Sequence, residues 1–387
     1  MAFTSESSSD WTCLPDLLLD SILDKLVSLP DQLRLSLVCK PWHSVVIHHH
    51  RHRRIDMNRN QIPLLMLPPN NIPAEEGRSL YSVTENKSFS FKIPFFYCKR
   101  ICGSSHGWLF TVQDNTDLVL INPFSDGSSS PIRLPPFQEL PGNQDRIPGV
   151  FEVVKASLTA DPLLFPDDYV VVAIYGASKS LAYIKSGDKS WTHLHIPYQW
   201  FSDIVSYRGN LYAVDHWNRV ISIDINGVSD SASGVKVLAP RMSWCSDSTY
   251  IVESSRGDLL IVQRFLIRIK SDDNRHVTYR FKIFKLQFNP NEEAERVEVK
   301  SLGGDALFLG DNQSMAVLAS DFPGCRPNCI YFTDHYLMVA HPPPVYGRCD
   351  LGIFNVDDGS FQGLCNLDCS QKHLVPAIWI LPTPSLH

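Results

Sequence analysis

Thiols, imidazoles and carboxylates are the side chains of this sequence that could do chemistry, and their spacing argues against most of it. Three Cys-x3-Cys pairs occur: Cys98/Cys102, Cys325/Cys329 and Cys365/Cys369. In a strand, residues i and i+4 share a face, so each pair could turn two thiolates toward a metal. Zinc sites usually add a second pair at a regular distance, whereas these lie far apart at unequal intervals. Small buried apolar thiols are the better reading. The run His48-His-His-Arg-His-Arg-Arg54 is basic, but nothing fixes its imidazoles as a ligand set; it reads as a solvated helix end, with a nuclear-import signal as the alternative. Asp167-Asp168, Asp272-Asp273 and Glu292-Glu293 read as turn and loop charges. Two carboxylates facing across a channel would be glycosidase geometry, yet no pair is singled out. Gly-x-Ser-x-Gly, His-Glu-x-x-His and phosphate-loop patterns are absent. These residues call for no metal, no cofactor and no catalytic group.

The elements that would position such residues follow from composition and pattern. The chain has 387 residues, 44% apolar and 20% charged, with 35 Lys+Arg against 41 Asp+Glu and a net charge of −6. That composition excludes a wholly disordered chain. The negative balance argues against a dedicated nucleic-acid binder, which needs a basic face to displace counterions. No apolar run approaches the roughly 18 residues of a membrane helix. The N-terminus lacks the basic and apolar regions of a signal peptide, so the cysteines are expected to be reduced and the protein to reside in the nucleus and/or cytoplasm.

Residues 14–47 read as helical. Leu14-Pro15-Asp16 starts a helix: proline lacks an N–H that would be unpaired there, and Asp16 suits the positive end. At 100° per residue, Leu18, Ile22, Leu26, Leu19 and Leu23 share one arc and Leu17 falls outside it. Ser28-Leu-Pro30 ends the run, Asp31 caps a second helix over 32–39, and a third starts at Pro41 carrying Trp42, Val45 and Val46. This piece is shorter than the about 40 residues that usually fold alone. Its leucines cover more surface than three short helices can bury. They pack on the rest of the chain, or they dock on another protein.

From about residue 89 the pattern is strands and turns. Ser105-His-Gly107-Trp-Leu-Phe110, Tyr207-Arg-Gly209-Asn-Leu-Tyr212 and Ser255-Arg-Gly257-Asp-Leu-Leu260 share one hairpin shape. Strand ends running into Asn122, Asp224, Asn289 and Asp357 form a second recurring element. Gly107 to Asn122 and Gly209 to Asp224 both span 15 residues. Four-stranded blades of about 40–50 residues would give about six in this segment. A β-propeller is therefore expected, with a β-sandwich pair as the alternative. Ala377-Ile-Trp-Ile-Leu381 reads as the strand that closes the ring, with the early strand near Trp108 as its partner. Trp191 and Trp379 read as blade core. Trp200, Trp217 and Trp244 lie beside turns; core packing is expected there ahead of a recognition surface.

Leu14-Pro15, Leu18, Ile22, Leu26, Leu33 and Leu37-Val38-Cys39-Lys40-Pro41-Trp42 together resemble the F-box. The tail resembles the plant F-box-associated propeller family called domain of unknown function 295, which is kelch-like. The stretches that carry this are Ser186–Thr192, Asp203 followed by Tyr207–Asp215, Tyr250–Ser254, Ala306–Gly310, Ser320–Cys325, Asn328–Asp334 and Pro376–Trp379. The resulting expectation is an F-box of three short helices at 10–47, a linker with the basic run at 48–88, and an all-β propeller at 89–382. The resemblance implies a substrate-recognition subunit of a cullin–RING ubiquitin ligase, not an enzyme. Leu14, Pro15, Leu18, Ile22, Leu26, Leu33, Val38, Cys39 and Trp42 would bind a Skp-type adaptor, and through it cullin and RING subunits. The propeller would capture an unidentified target protein, with no membrane or nucleic acid involved. The alternatives are an F-box scaffold outside the ligase, and a propeller that binds glycans or is an enzyme.

Overall fold

The computed structural model describes residues 14–23, 25, 35, 38–42, 45–46, 61–67, 78–91, 100–112, 117–124, 130–137, 153–225, 234–269, 275–290, 293–334, 350–364 and 377–382. The chain divides into two compact units, one over residues 1–60 with 384–387 and one over residues 61–383. In the first, α1 spans Asp16–Leu23, and residues 35, 40–42, 45 and 46 are also helical. The rest of the expected second and third helices lies outside the described residues.

The second unit is a six-bladed β-propeller. Blade 1 combines β1 (Leu64–Met66), β2 (Arg78–Ser82) and β3 (Lys87–Phe91) with the last strand, β25 (Ile378–Ile380). Blade 2 holds β4 (Arg100–Ser105), β5 (Trp108–Val112), β6 (Leu118–Ile121) and β7 (Ile132–Arg133). Blade 3 holds β8 (Val153–Leu158), β9 (Val170–Tyr175), β10 (Ser180–Lys185) and β11 (Thr192–His193). Blade 4 holds β12 (Phe201–Tyr207), β13 (Asn210–Asp215), β14 (Val220–Ile223) and β15 (Val235–Ala239). Blade 5 holds β16 (Ser248–Glu253), β17 (Leu259–Ile269), β18 (Arg275–Phe288) and β19 (Ala294–Val299). Blade 6 holds β20 (Asp305–Leu309), β21 (Met315–Leu318), β22 (Cys329–Phe332), β23 (Gly352–Asn355) and β24 (Phe361–Gln362).

Strands such as Val170-Val-Val-Ala-Ile-Tyr175 are apolar on both faces because each blade is covered on both sides by its neighbours. Six apolar clusters fill the six spaces between blades, including those on either side of blade 1. Side-chain alternation divides the closing strands between two of them: Leu65 and Trp379 face blade 6, while Met66, Ile378 and Ile380 face blade 2. Trp191 and Trp379 are core, as their strands suggest.

The closing partner differs from the expected one. β25 pairs with β1, Trp379 opposite Leu65, and only packs against the Trp108 blade. The propeller therefore begins inside the expected linker 48–88, which supplies both β1 and β2. A three-residue strand flanked by Pro63, Pro68 and Pro69 has no periodicity to announce it; its partner is more than 300 residues away. Blade 6 also departs from simple hairpins. Its order is β21-β20-β22-β23-β24, and β20 runs parallel to β22. A parallel pair needs a crossover, here the excursion through β21 and a 3-10 turn at Ala319–Asp321.

Both recurring sequence elements are turns. His106-Gly107 and Arg208-Gly209 have positive φ at both positions (52° and 79°; 50° and 79°), the hairpin geometry that matches strand twist. Asn122 and Asn355 accept the N–H two residues on, from Phe124 and Asp357, which turns the chain toward the outer strand.

Candidate functional site

Three places in the molecule gather side chains beyond what blade packing requires. The first is α1. Leu19 and Leu23 are fully buried, and Val46 is buried as well. Leu17, Leu18 and Ile22 on the same helix are 80%, 55% and 38% exposed. Val38 and Pro15 are exposed, and Leu14, Cys39 and Trp42 are half-buried. The expected arc therefore divides: its Leu19 edge is core, and its Leu18 and Ile22 edge faces water. Leu17, placed outside the arc by the 100° projection, is the most exposed of the helix leucines, and it extends the Leu18 surface. Leu26 and Leu33 lie outside the described residues.

The second place is the propeller axis. The inner-edge strands β25, β4, β8, β12, β16 and β21 line it, and β4 approaches β8 so closely that a Cβ on Gly103 would sit 2.3 Å from the Ala156 carbonyl oxygen. Segment 310–314, between β20 and β21, hydrogen-bonds to three other blades and acts electrostatically on a fourth. Gln313 N–H donates to the Ser104 carbonyl of blade 2, and the Gly310 carbonyl accepts from Lys155 Nζ of blade 3 at 3.2 Å. Ser314 Oγ donates to Asp203 Oδ2 of blade 4 at 2.6 Å, and the Asp311 carboxylate acts on Tyr250 of blade 5. A segment with those partners can only lie across the axis, so the channel is plugged by the chain itself. Lys155 and Asp203 form an ion pair of 2.6 Å there, with side chains 5% and 0% exposed. Asp203 also accepts from the N–H groups of Ile204 and Ile251, so its carboxylate is fully engaged. Burial pushes the Lys179 ammonium down against the opposing pull of Asp311. Engaged groups on a filled axis form a structural pin and do not resemble paired carboxylates awaiting a sugar.

The third place is the rim formed by the second-to-third-strand turns and the connections between blades. Trp200, Trp217 and Trp244 are 46%, 36% and 38% exposed there, so the expectation of core packing fails for all three. Hydrogen bonds between backbones chain them together: His216 N–H to the Trp200 carbonyl, and Met242 N–H to the Trp217 carbonyl. Trp200 holds a positive φ of 63°, which is costly for a bulky side chain and turns its ring outward. The only sequence sign was their place beside turns.

The remaining sequence candidates separate cleanly. Cys325 and Cys329 are buried, and burial pushes the Cys325 thiol up to about 11. Cys102 is also buried, while Cys98, Cys365, Cys369 and the run 48–54 lie outside the described residues. Asp167 and Asp168 are exposed turn residues. Among the described residues, no group of three or more His, Cys, Asp or Glu could hold a metal ion, and no helix is long and apolar enough to cross a membrane.

A helical unit with water-facing leucines is thus followed by a six-bladed ring. The F-box domain model matches residues 11–54 and the KIB1-4 beta-propeller model residues 80–355. The chain belongs to the KIB1-4 beta-propeller family. It is similar to the F-box protein At4g35733 of Arabidopsis thaliana, 28% identical over 95% of this chain and 98% of that one. It is similar also to the F-box protein SKIP23 of the same plant, 24% identical over 91% of each, and to the putative F-box protein At3g25750, 25% identical over 91% of this chain and 93% of that one.

Proposed function

We propose that the protein is the substrate-recognition subunit of a cullin–RING ubiquitin ligase, acting in the nucleus and/or cytoplasm. Its helical unit binds a Skp-type adaptor and its propeller holds the target. Within this reading the tail is a kelch-like propeller of the domain-of-unknown-function 295 kind, as its motif stretches suggest. The observation that carries the proposal is the division of α1: Leu19 and Leu23 are fully buried, while Leu17, Leu18 and Ile22 on the same helix remain as an exposed apolar surface. The protein itself supplies no reacting group. It raises the effective concentration of target lysines beside a charged conjugating enzyme.

Leu18→Ala with Ile22→Ala tests the docking surface. Each truncated leucine or isoleucine at an interface hot spot costs on the order of 2 kcal/mol, so adaptor capture in a pull-down should be lost while the propeller melts as before. Undiminished capture by the double variant overturns the docking reading. Target capture is tested by quantitative proteomics. Full-length protein should lower the level of its target, a form lacking residues 10–47 should raise it, and proteasome inhibition should restore it. If no protein shows opposite changes in the two samples, the scaffold reading replaces the receptor reading.

A further inference from the structure

Blade 5 carries a long hairpin that outgrows its sheet. β17 and β18 pair with each other out to Ile269 and Arg275, but β16 accompanies β17 only as far as Arg264, and β19 accompanies β18 only from Ile283. Residues 265–269 and 275–281 therefore stand above the blade as a two-stranded ribbon. Such a ribbon is marginal by itself, so its base must be held. Arg264 does this from full burial. Its guanidinium donates to Thr278 Oγ1 at 2.7 Å, to the Thr333 carbonyl at 2.7 Å and to Asp350 Oδ2 at 2.8 Å. Asp350 also accepts from the Thr278 N–H and hydroxyl. Above the base, the Leu266 N–H donates to Asp247 Oδ2 at 2.7 Å.

One side of this ribbon faces blade 4. Lower down, the same side carries Ile261 and Phe284, which pack with Val214 and Val220. Higher up, blade 4 has ended and the side is open: Ile267 is 54% and Tyr279 52% exposed. Trp244, from the connection beneath, closes the floor, its ring 6.2 Å from Phe265, with Phe265 6.4 Å from Tyr279. The result is an open apolar step with an aromatic floor and a stiff wall. Among the described residues its cations outnumber its carboxylates. Lys282 Nζ lies 4.9 Å over the Trp244 ring, Arg280 is paired opposite Phe265, and Arg241 is exposed three residues before Trp244 in the chain. One carboxylate, Asp247, also lies at the ribbon's base and accepts the Leu266 N–H. A positive apolar step on a chain of net charge −6 is a local inversion.

We infer that this step receives an extended acidic segment of a target protein, one bulky apolar side chain resting on Trp244 and the flanking carboxylates meeting Arg280, Lys282 and Arg241. The assignment rests on the receptor reading only in naming the occupant a target. Aromatic floors beside cations are where interface energy concentrates, and the complementary charges select partners and speed encounter. Single-stranded nucleic acid also stacks on aromatics, but it needs a basic track along its backbone, which these few cations do not make.

The test is a selection of random displayed peptides on full-length protein. Acidic peptides with a central aromatic or bulky aliphatic residue should be enriched. Arg280→Glu with Lys282→Glu should weaken them by about tenfold or more, as opposed charges become like charges, whereas Arg280→Lys with Lys282→Arg should keep them. Trp244→Ala should weaken them too. Basic or neutral consensus peptides, no enrichment, equal binding by the charge-reversed variant, or a labelled oligonucleotide that displaces the selected peptides would each overturn the assignment. Adaptor pull-down from the same preparations tests the receptor reading separately. Peptide selection without adaptor capture would leave the step standing and remove the receptor.

Discussion

Asp203 shows how much a single buried charge commits this fold to one arrangement. Its carboxylate holds Lys155 of blade 3, the Ile251 N–H of blade 5 and the Ser314 hydroxyl of the plug, so four blades converge on one side chain. Removing one member of such a set strands the others without water. Asp203→Ala should therefore cost about 3–5 kcal/mol, and pairing it with Lys155→Met should recover part of that loss. Denaturant titration of the single and double variants decides it; a double variant as unstable as the sum of its parts would mean that the pair is not coupled. The rim tryptophans show the reverse case, where exposure leaves the residue free for a partner. The flanking residue types point the wrong way for buried Trp191 and exposed Trp200: Trp191 follows Asp188-Lys-Ser190, whereas Trp200 sits between Tyr198 and Phe201, and the neighbouring blade decides which is covered.

At the scale of elements, the hairpins were the most legible feature, because a two-residue turn with both φ values positive admits few residue types. The His106-Gly107 turn carries a proton-linked consequence. Burial holds His106 below the ordinary histidine value of about 6.5, against the opposing pull of Asp161. In the unfolded chain His106 binds a proton more readily than in the folded one. Its contribution therefore destabilises the fold as pH falls through about 6.5 toward the lowered folded value, and is absent above that window. His106→Asn keeps a residue that tolerates positive φ and removes the titration. Melting temperature between pH 7 and 5 should fall less steeply in this variant; an unchanged slope would place the acid sensitivity elsewhere, with half-buried His193, also held below the ordinary value by burial, as the next group. The division of α1 was less legible. Helical periodicity finds an apolar face, but which edge of that face is core depends on what the remaining helical residues cover.

For the whole molecule, closure is the decisive element. β25 is three residues long, yet Trp379 is fully buried against Phe308 and Leu65, and Ile378 and Ile380 complete the space against blade 2. Deleting residues 374–387 should open the ring, expose two strand edges and lower the melting temperature of the entire propeller instead of fraying one end. A truncated protein that melts like the parent would show that closure by β25 is dispensable.

What the amino-acid sequence determined by itself was local: a leucine-rich helical start after Leu14-Pro15, turns at His106-Gly107 and Arg208-Gly209, strands apolar on both faces, and a repeat of a length suited to about six blades. Each of these rests on residues a few positions apart. Only the tertiary structure decided that Leu64–Met66 is the partner of Ile378–Ile380, that Gly310–Ser314 fills the axis, that β20 and β22 run parallel, and that Trp200, Trp217 and Trp244 face water. These depend on pairs separated by tens to hundreds of residues. Short segments carry too few side chains to specify such partners by pattern; the energy that selects them comes from burying surfaces that meet only when the ring has closed.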